Sequence, residues 1–421
     1  MRPSIYFFNI ALLSLVLITT FSRSDAEESR SNYPPLQPLI DAAKAGDTVV
    51  PPPGIYAGPV TIELPITLDG QNKVTIDASG KGSVIYLDTD GGSVRNLRLI
   101  NSGESHNDID AGVQVRGNFN VIKDNTIENT LFGIDLQQSE SNIIRRNHIS
   151  SQAHKLGMRG DAIRLWYSFK NKITDNVINN SRDFVVWYSA DNYIARNRVT
   201  NGRYSLHFMY SRYNLIEDNQ FLNNAVGIFL MYSDGVIIRR NVISHATGAS
   251  GIGIGFKETS GLILEDNKIM YCSTGLYLDV SPYDPDATNI MKNNLVAFNA
   301  IGIRFLNDWK GNQFIENQFK GNITPIAVSG GGSANRNLWQ DNYWDDYEGF
   351  DLDHDGVGDT PHEIYSYSDR LWMDVPGAQF FKGSAILEVI DFLERLAPFS
   401  DPVLMMRDKS PQMVSHEDPA V

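Results

Sequence analysis

A single cysteine, Cys272, stands in the 421 residues, so no disulfide framework holds this chain together. Basic residues are in deficit, 36 Lys and Arg against 50 Asp and Glu. A net charge of −14 leaves no basic face with which to neutralise phosphates, which argues against nucleic acid as a partner. Beyond Phe21 no apolar run is long enough to cross a bilayer. The one such run, Ile5 to Phe21, follows Arg2 and precedes Ser24-Asp25-Ala26, with small residues at the −3 and −1 positions of a cut. Residues 1–26 therefore read as a cleaved export signal, with an uncleaved anchor as the alternative. Export without disulfides, and without a cysteine at the cut to carry lipid, suits a bacterial-type periplasm.

What the chain has in quantity is glycine, 34 residues, and asparagine at near-regular spacing. Asn120-Val-Ile-Lys-Asp-Asn125-Thr-Ile returns as Asn142-Ile-Ile-Arg-Arg-Asn147-His-Ile, and again from Asn171, Asn192 and Asn214. Weaker copies end on Asn241, Asn267, Asn294, Asn317 and Asn342. The commonest step, about 22 residues, fits one turn of three short strands joined by tight bends. Asparagine tolerates left-handed backbone at a bend, and its stacked amides can donate and accept along the axis. Helical repeats are disfavoured by Asn, Gly, Ile and Val at these places. The expected fold is all-β, a right-handed parallel β-helix of about ten rungs. It divides into a cap and first turn over 27–60, repeats over 61–345, an acidic loop over 346–375 and a helical, apolar tail over 376–421. Leu36 to Ala45 has the pattern of an N-terminal capping helix.

Strand alternation gives direction. In Gly227-Ile228-Phe229-Leu230-Met231, Ile228 and Leu230 suit the core, so Phe229 and Met231 face out. The outward column is then Gln137, Trp166, Trp187, Met209, Met231 and Lys257. Two positions upstream run Asp135, Arg164, Val185, His207, Phe229 and Gly255, and Tyr-Ser pairs follow at 167, 188, 210 and 232. Such an apolar strip marks a partner surface, with Trp166 and Trp187 as its anchors, unless a loop inserted at 103–111 or 150–160 covers it. His207, Met209 and Met231 lie close enough to share a soft ion such as Cu(I). His154 and Met158, four apart in one insertion, are weaker candidates, and Cys272 reads as a small buried hydrophobe.

Asp351, Asp353, Asp355 and Asp359 alternate around Gly356, a pattern that wraps oxygen ligands around Ca²⁺ in a structural role. It is not an EF-hand, since His362 stands where the twelfth-position glutamate belongs. Further on, Ser384 to Leu396 has helical apolar spacing behind a serine, and Phe392, Leu393 and Leu396 are the expected docking residues. Pro402-Val-Leu-Met-Met406 is a second apolar patch, and the whole tail reads as separable from a solenoid already complete at Asn342.

Asn342-Tyr-Trp344, the acidic loop, Ser368-Asp369-Arg370 and above all Asp391-Phe-Leu-Glu-Arg-Leu-Ala-Pro-Phe-Ser-Asp-Pro-Val403 resemble the NosD family. Ile163-Arg-Leu-Trp-Tyr-Ser168 and the Met-Tyr-Ser copies at Met209 and Met231 add to the resemblance, which covers nearly all of the mature chain. It implies a periplasmic, non-enzymatic factor that helps assemble the copper–sulfur centre of nitrous oxide reductase. The implied partners are that reductase, the membrane and ATPase subunits of an ABC transporter, and a copper chaperone. Copper would pass through transiently. The copper-ligand assignment to His207, Met209 and Met231 comes from strand geometry alone. The rival class is a uronic-acid polysaccharide lyase or epimerase, which needs clustered carboxylates or a base beside a cation in a groove. Asp108, Asp110, Asp135 and Asp161 are its candidates, yet no two repeat at one-rung spacing on one outward column. A bare adhesion solenoid, the third reading, leaves the apolar tail without a purpose.

Overall fold

The computed structural model describes residues 33–366, 373, 375, 384–397 and 401–415. The expected export signal at 1–26 and the Ser368-Asp369-Arg370 motif lie outside them. The described chain is a parallel β-helix. Most turns contribute two short strands to a 24-stranded sheet, two of them a single longer strand (Thr67–Asp77 and Ser93–Ile100), and the third side forms a 12-stranded sheet; every strand pair in both sheets is parallel. The first sheet holds thirteen turns' worth of strands, from Thr48–Val49 to Tyr343–Trp344. At a strand spacing of about 4.8 Å that is roughly 58 Å of stacked backbone.

Ten rungs were expected and thirteen are present. The difference lies at the N-terminal end, where the three turns built on Thr48–Val49 with Gly54–Ala57, on Thr67–Asp77 and on Ser93–Ile100 contain no ladder asparagine. Their inward residues Leu68, Val74, Ile76, Val94, Leu97 and Leu99 close the core without one. Counting asparagines therefore misses these turns.

From Asn125 to Asn342 the ladder is continuous. Asn147 Nδ2 donates to Asn176 Oδ1 (3.1 Å), Asn176 Nδ2 to Asn197 (2.9 Å), Asn197 to Asn219 (3.1 Å) and so on to Asn317 and Asn342 (3.0 Å). The second amide hydrogen reaches a main-chain carbonyl one turn back, as Asn197 does to Ile173 (2.9 Å). The left-handed geometry is not on these asparagines, as expected, but on the residue before each, from Asp124 (φ 59°) and Arg146 (φ 52°) to Asp341 (φ 56°). The bend residue turns the chain, and the asparagine stitches the turns. Stacked bend residues also pair by charge, Arg146 with Asp124 (2.6 Å) and Arg196 with Asp175 (2.7 Å).

Both ends are closed. The N-terminal cap is a five-residue helix, Gln37–Asp41, shorter than expected, that seats Leu36 and Ile40 on the first turn. The other end differs from the sequence reading. Val403–Asp408 is not part of a separable tail. It pairs antiparallel with His362–Ser366, and Met405 and Met406 are fully buried in the same core as Trp339 and Trp344. Asp408, also fully buried, accepts hydrogen bonds from Asn342 Nδ2 (2.8 Å), the Asn342 amide (3.2 Å) and Trp344 Nε1 (3.2 Å). The ladder's last asparagine is thus capped by a carboxylate 66 residues away. Residues 411–413 lace this cap to the acidic loop, through Gly358 N to Pro411 O (2.8 Å) and Met413 N to Gly356 O (3.0 Å).

Candidate functional site

The 12-stranded sheet turns Leu165, Val186, Phe208, Leu230 and Phe256 inward, each fully buried, so their neighbours must face out. Strand register aligns Gln137, Trp166, Trp187, Met209, Met231 and Lys257 on one outward row. A parallel row runs Asp135, Arg164, Val185, His207, Phe229 and Gly255, and continues to Tyr277 and Arg304. Trp166, Trp187, Met209 and Met231 are half-buried rather than sealed. Met209 and Met231 stand directly opposite each other on adjacent strands, with His207 two positions from Met209.

His207 is held between rings. It stacks on Tyr204 (centroids 4.7 Å, 18° between planes) and meets Trp187 edge-on at 5.6 Å. Its Nδ1 is sealed from solvent and has no partner. Burial lowers its pKa, the Asp183 carboxylate opposes that, and the Arg203 charge adds to it. The imidazole is therefore neutral at pH 7, the form that ligates a metal. The strand Tyr204–Met209 slips by one residue against Asp183–Trp187, and a bulge of this kind is a common way to re-aim a side chain at a working surface.

Beside the strip, Tyr167, Tyr188, Tyr210 and Tyr232 occupy left-handed bends at φ 49–52°. Their rings stack at 4.9, 5.3 and 4.8 Å. Left-handed backbone is costly for tyrosine, and face-to-face stacking at strand spacing offsets it. The Tyr-Ser repeats were legible in the sequence; the stack of rings was not.

At the N-terminal end of the face, charge replaces aromatics. Asp135 is fully buried between Arg116 (2.8 Å) and Arg164 (2.7 Å), whose guanidinium packs under Trp166 at 5.0 Å. Asp161 pairs with Arg182 (2.9 Å); burial, with the neighbouring Asp183 charge, pushes its carboxyl up to about 6 despite that arginine. The two insertions meet here, His106 Nε2 lying 3.2 Å from Met158 O and Gln152 Nε2 donating to Ser102 O. Gln114 Nε2 donates to Asp108 O and Ile109 O, so the first insertion closes over the Gln114–Asp135 end and not over the methionines. Of the four acids weighed for glycan chemistry, Asp108 and Asp110 bond within their own loop to Ser105, and Asp135 and Asp161 are tied to arginines. His154 turns to Glu104 and Gln152, and Met158 is exposed. Cys272 is buried, its thiol pushed up to about 11 by burial.

In the acidic loop the carboxylate oxygens of Asp351, Asp353 and Asp355 come within 4.8 Å of one another. Asp359 is not in that group and accepts the Leu352 amide at 2.7 Å. Three hard oxygen donors converging on one point suit Ca²⁺. The helix Ala385–Leu396 forms as expected, although Ser384 makes no side-chain cap. It is oriented contrary to a packed helix: Phe392 is 61% exposed, Leu393 47% and Leu396 67%, while Glu394 is buried.

A profile of the family described as "Periplasmic copper-binding protein (NosD)" matches residues 152–349. The chain is 25% identical over 376 residues to the "probable ABC transporter binding protein NosD" of Pseudomonas aeruginosa, covering 82% of this chain and 83% of that one. It is 24% identical over 422 residues to the protein of that name from Stutzerimonas stutzeri, covering 92% and 90%. The chain is similar to NosD proteins. The segment matched by the family profile contains the whole outward strip from Trp166 to Met231. Among solved structures it resembles the A-modules of the mannuronan C-5 epimerases AlgE6 and AlgE4 of Azotobacter vinelandii, each with TM-score 0.53 and 16% identity, covering 72% and 71% of this chain and 92% and 94% of theirs. That likeness establishes the parallel β-helix and nothing of its chemistry.

Proposed function

We propose that this chain is a periplasmic accessory protein, not an enzyme, that handles Cu(I) on its outward strip while the copper–sulfur centre of nitrous oxide reductase is assembled. The observation that carries the reading is the juxtaposition of Met209 and Met231 with a neutral, half-covered His207. Thioether and imidazole are ligands of choice for Cu(I), and a site on an open face suits transfer of a cargo ion better than its storage. Trp166, Trp187 and the tyrosine stack make a rigid aromatic border of the kind that anchors protein partners, here the reductase or a copper chaperone as donor.

The exposed apolar side chains of helix Ala385–Leu396 support a second contact, with the membrane subunit of an ABC transporter and through it the ATPase. The names of the two relatives favour such an association. No described helix is long and apolar enough to cross a membrane. Ca²⁺ at Asp351, Asp353 and Asp355 would brace the cap that residues 411–413 lace to that loop.

The test replaces Met209 and Met231 together by leucine, which keeps volume and removes sulfur, and separately replaces Trp166 and Trp187 by serine. Cu(I) affinity is measured by competition with a chromogenic chelator, and copper content is measured in reductase from cells carrying each variant. The methionine pair should lose Cu(I) binding and leave the reductase copper-deficient. The tryptophan pair should keep Cu(I) binding and fail in delivery. If the leucine variant binds Cu(I) as before and reductase copper is normal in both, the strip is not the working site.

A further inference from the structure

Arg304 has no hydrogen-bond or ion-pair partner among the described residues. Every other arginine whose side chain is described makes an ion pair or a hydrogen bond, from Arg95 with Asp69 to Arg407 with Glu363. Arg304 makes neither, and its Nε is sealed from solvent with nothing to donate to. Removing a guanidinium from water without supplying an acceptor is costly, and burial accordingly holds its pKa below the usual arginine range. Its place in the fold is the outward face of the 12-stranded sheet, between Tyr277 on one neighbouring strand and Ala327 on the other.

The surroundings favour an anion. Lys257, two strands away on the adjacent row, has a long 4.0 Å contact with Asp279 and lies over the Tyr232 ring at 5.9 Å from its centroid. The Tyr277 phenol lies within the fields of both cations. Burial and Asp279 raise its pKa while Arg304 and Lys257 pull it down, so it stays a protonated donor at neutral pH. On the far side Gly255 admits the Phe229 ring, which a Cβ at 255 would strike at 2.5 Å, and that ring meets Tyr277 at 6.1 Å. The aromatic floor thus runs from the methionine strip to the arginine.

We propose that Arg304, assisted by the Tyr277 hydroxyl and Lys257, is a subsite for a compact oxyanion or carboxylate presented along this face. A guanidinium with free Nη donors takes such a group bidentately. The subsite goes beyond the copper reading and shares none of its ligands. The acidic group has two sources, a free inorganic oxyanion or the carboxylate of a docked chain, and the probes separate them.

The experiment titrates the full chain with sodium sulfate and with sodium acetate at constant ionic strength, by calorimetry, for wild type, Arg304→Met, Arg304→Lys and Lys257→Met. Wild type should bind at least one anion saturably. Arg304→Met should weaken it at least about tenfold, the scale of one charge-assisted hydrogen bond, with Arg304→Lys and Lys257→Met between. Binding of sulfate alone identifies a free oxyanion; binding of acetate identifies a carboxylate. In chloride buffer without either probe, Arg304→Met should melt no lower than wild type, because no ion pair is lost. No saturable binding in wild type, or equal binding in Arg304→Met, overturns the proposal, and neither outcome touches the copper test.

Discussion

Deleting residues 401–421 should unfold the C-terminal turns, whereas deleting only residues 384–397 should not. The first deletion uncovers the seats of Met405 and Met406, both fully buried. Burial of each is worth about 1.5–3 kcal/mol. It also removes Asp408, leaving the Asn342 amide, Asn342 Nδ2 and Trp344 Nε1 without their acceptor. Water reaching the opened end replaces part of that, so each donor loses about 1 kcal/mol. Together the losses come to roughly 6–9 kcal/mol, comparable with the whole margin of an ordinary domain. A solenoid is coupled mainly through nearest neighbours, so the damage should begin at the cap and fade inward. Hydrogen exchange would then lose protection over Asn312–Ile315, Leu338–Gln340 and Tyr343–Trp344. Protection around the Asn197 turn should be largely kept, and the melting transition should broaden and fall. The helix deletion removes a segment whose described apolar side chains are exposed, so its melting should match wild type. If the 401–421 deletion keeps wild-type exchange at Leu338–Trp344, the cap is ornamental and its account is wrong.

Asn197→Ala should cost about 3–5 kcal/mol, because it strands the Asn176 amide, its Nδ2 and the Ile173 carbonyl; urea denaturation measures it, and a loss under 1 kcal/mol refutes the ladder as a source of stability. Chelator-treated protein should melt higher as free Ca²⁺ is restored, and Asp353→Asn should abolish the rise; a melting temperature indifferent to calcium removes the metal from the loop. Asp161, raised to about 6 in the folded state, binds a proton there that the unfolded chain has released, so stability falls as pH rises from about 4 through 6. Asp161→Asn should flatten that slope in melts taken across the window, and an unchanged slope would show that another group carries it.

Much of this architecture was legible because two periodicities are superposed. The 22-residue recurrence of asparagine aligns the turns, and the two-residue alternation within each strand assigns every side chain a face. Together they placed Trp166, Trp187, Met209 and Met231 on one row, the arrangement that register produces. They failed where one of the two is missing. Thr67–Asp77 and Ser93–Ile100 alternate as strands but carry no asparagine at the ladder position, so their turns went uncounted. Val403–Asp408 is a strand too short to show a period, standing beside a strongly amphipathic helix, and was read with its neighbour as a docking tail.

The remaining gap is one of pairing. A sequence shows that Arg304 faces outward, but only packing shows that no described carboxylate meets it while Asp135 takes two arginines. Likewise the repeat displays His207 two positions from Met209, but the bulge and the stacked Tyr204 ring hold its imidazole neutral and half covered. Solenoids make this division clear. Their periodic positions are occupied for stability, since each must satisfy the turn above and the turn below. Function therefore sits where a periodic position is filled by a residue the stack does not need. Met209, Met231, His207 and Arg304 all meet that condition: valine, threonine or leucine would complete the same strands, and none would present sulfur, imidazole or an unpaired charge to whatever docks on the face.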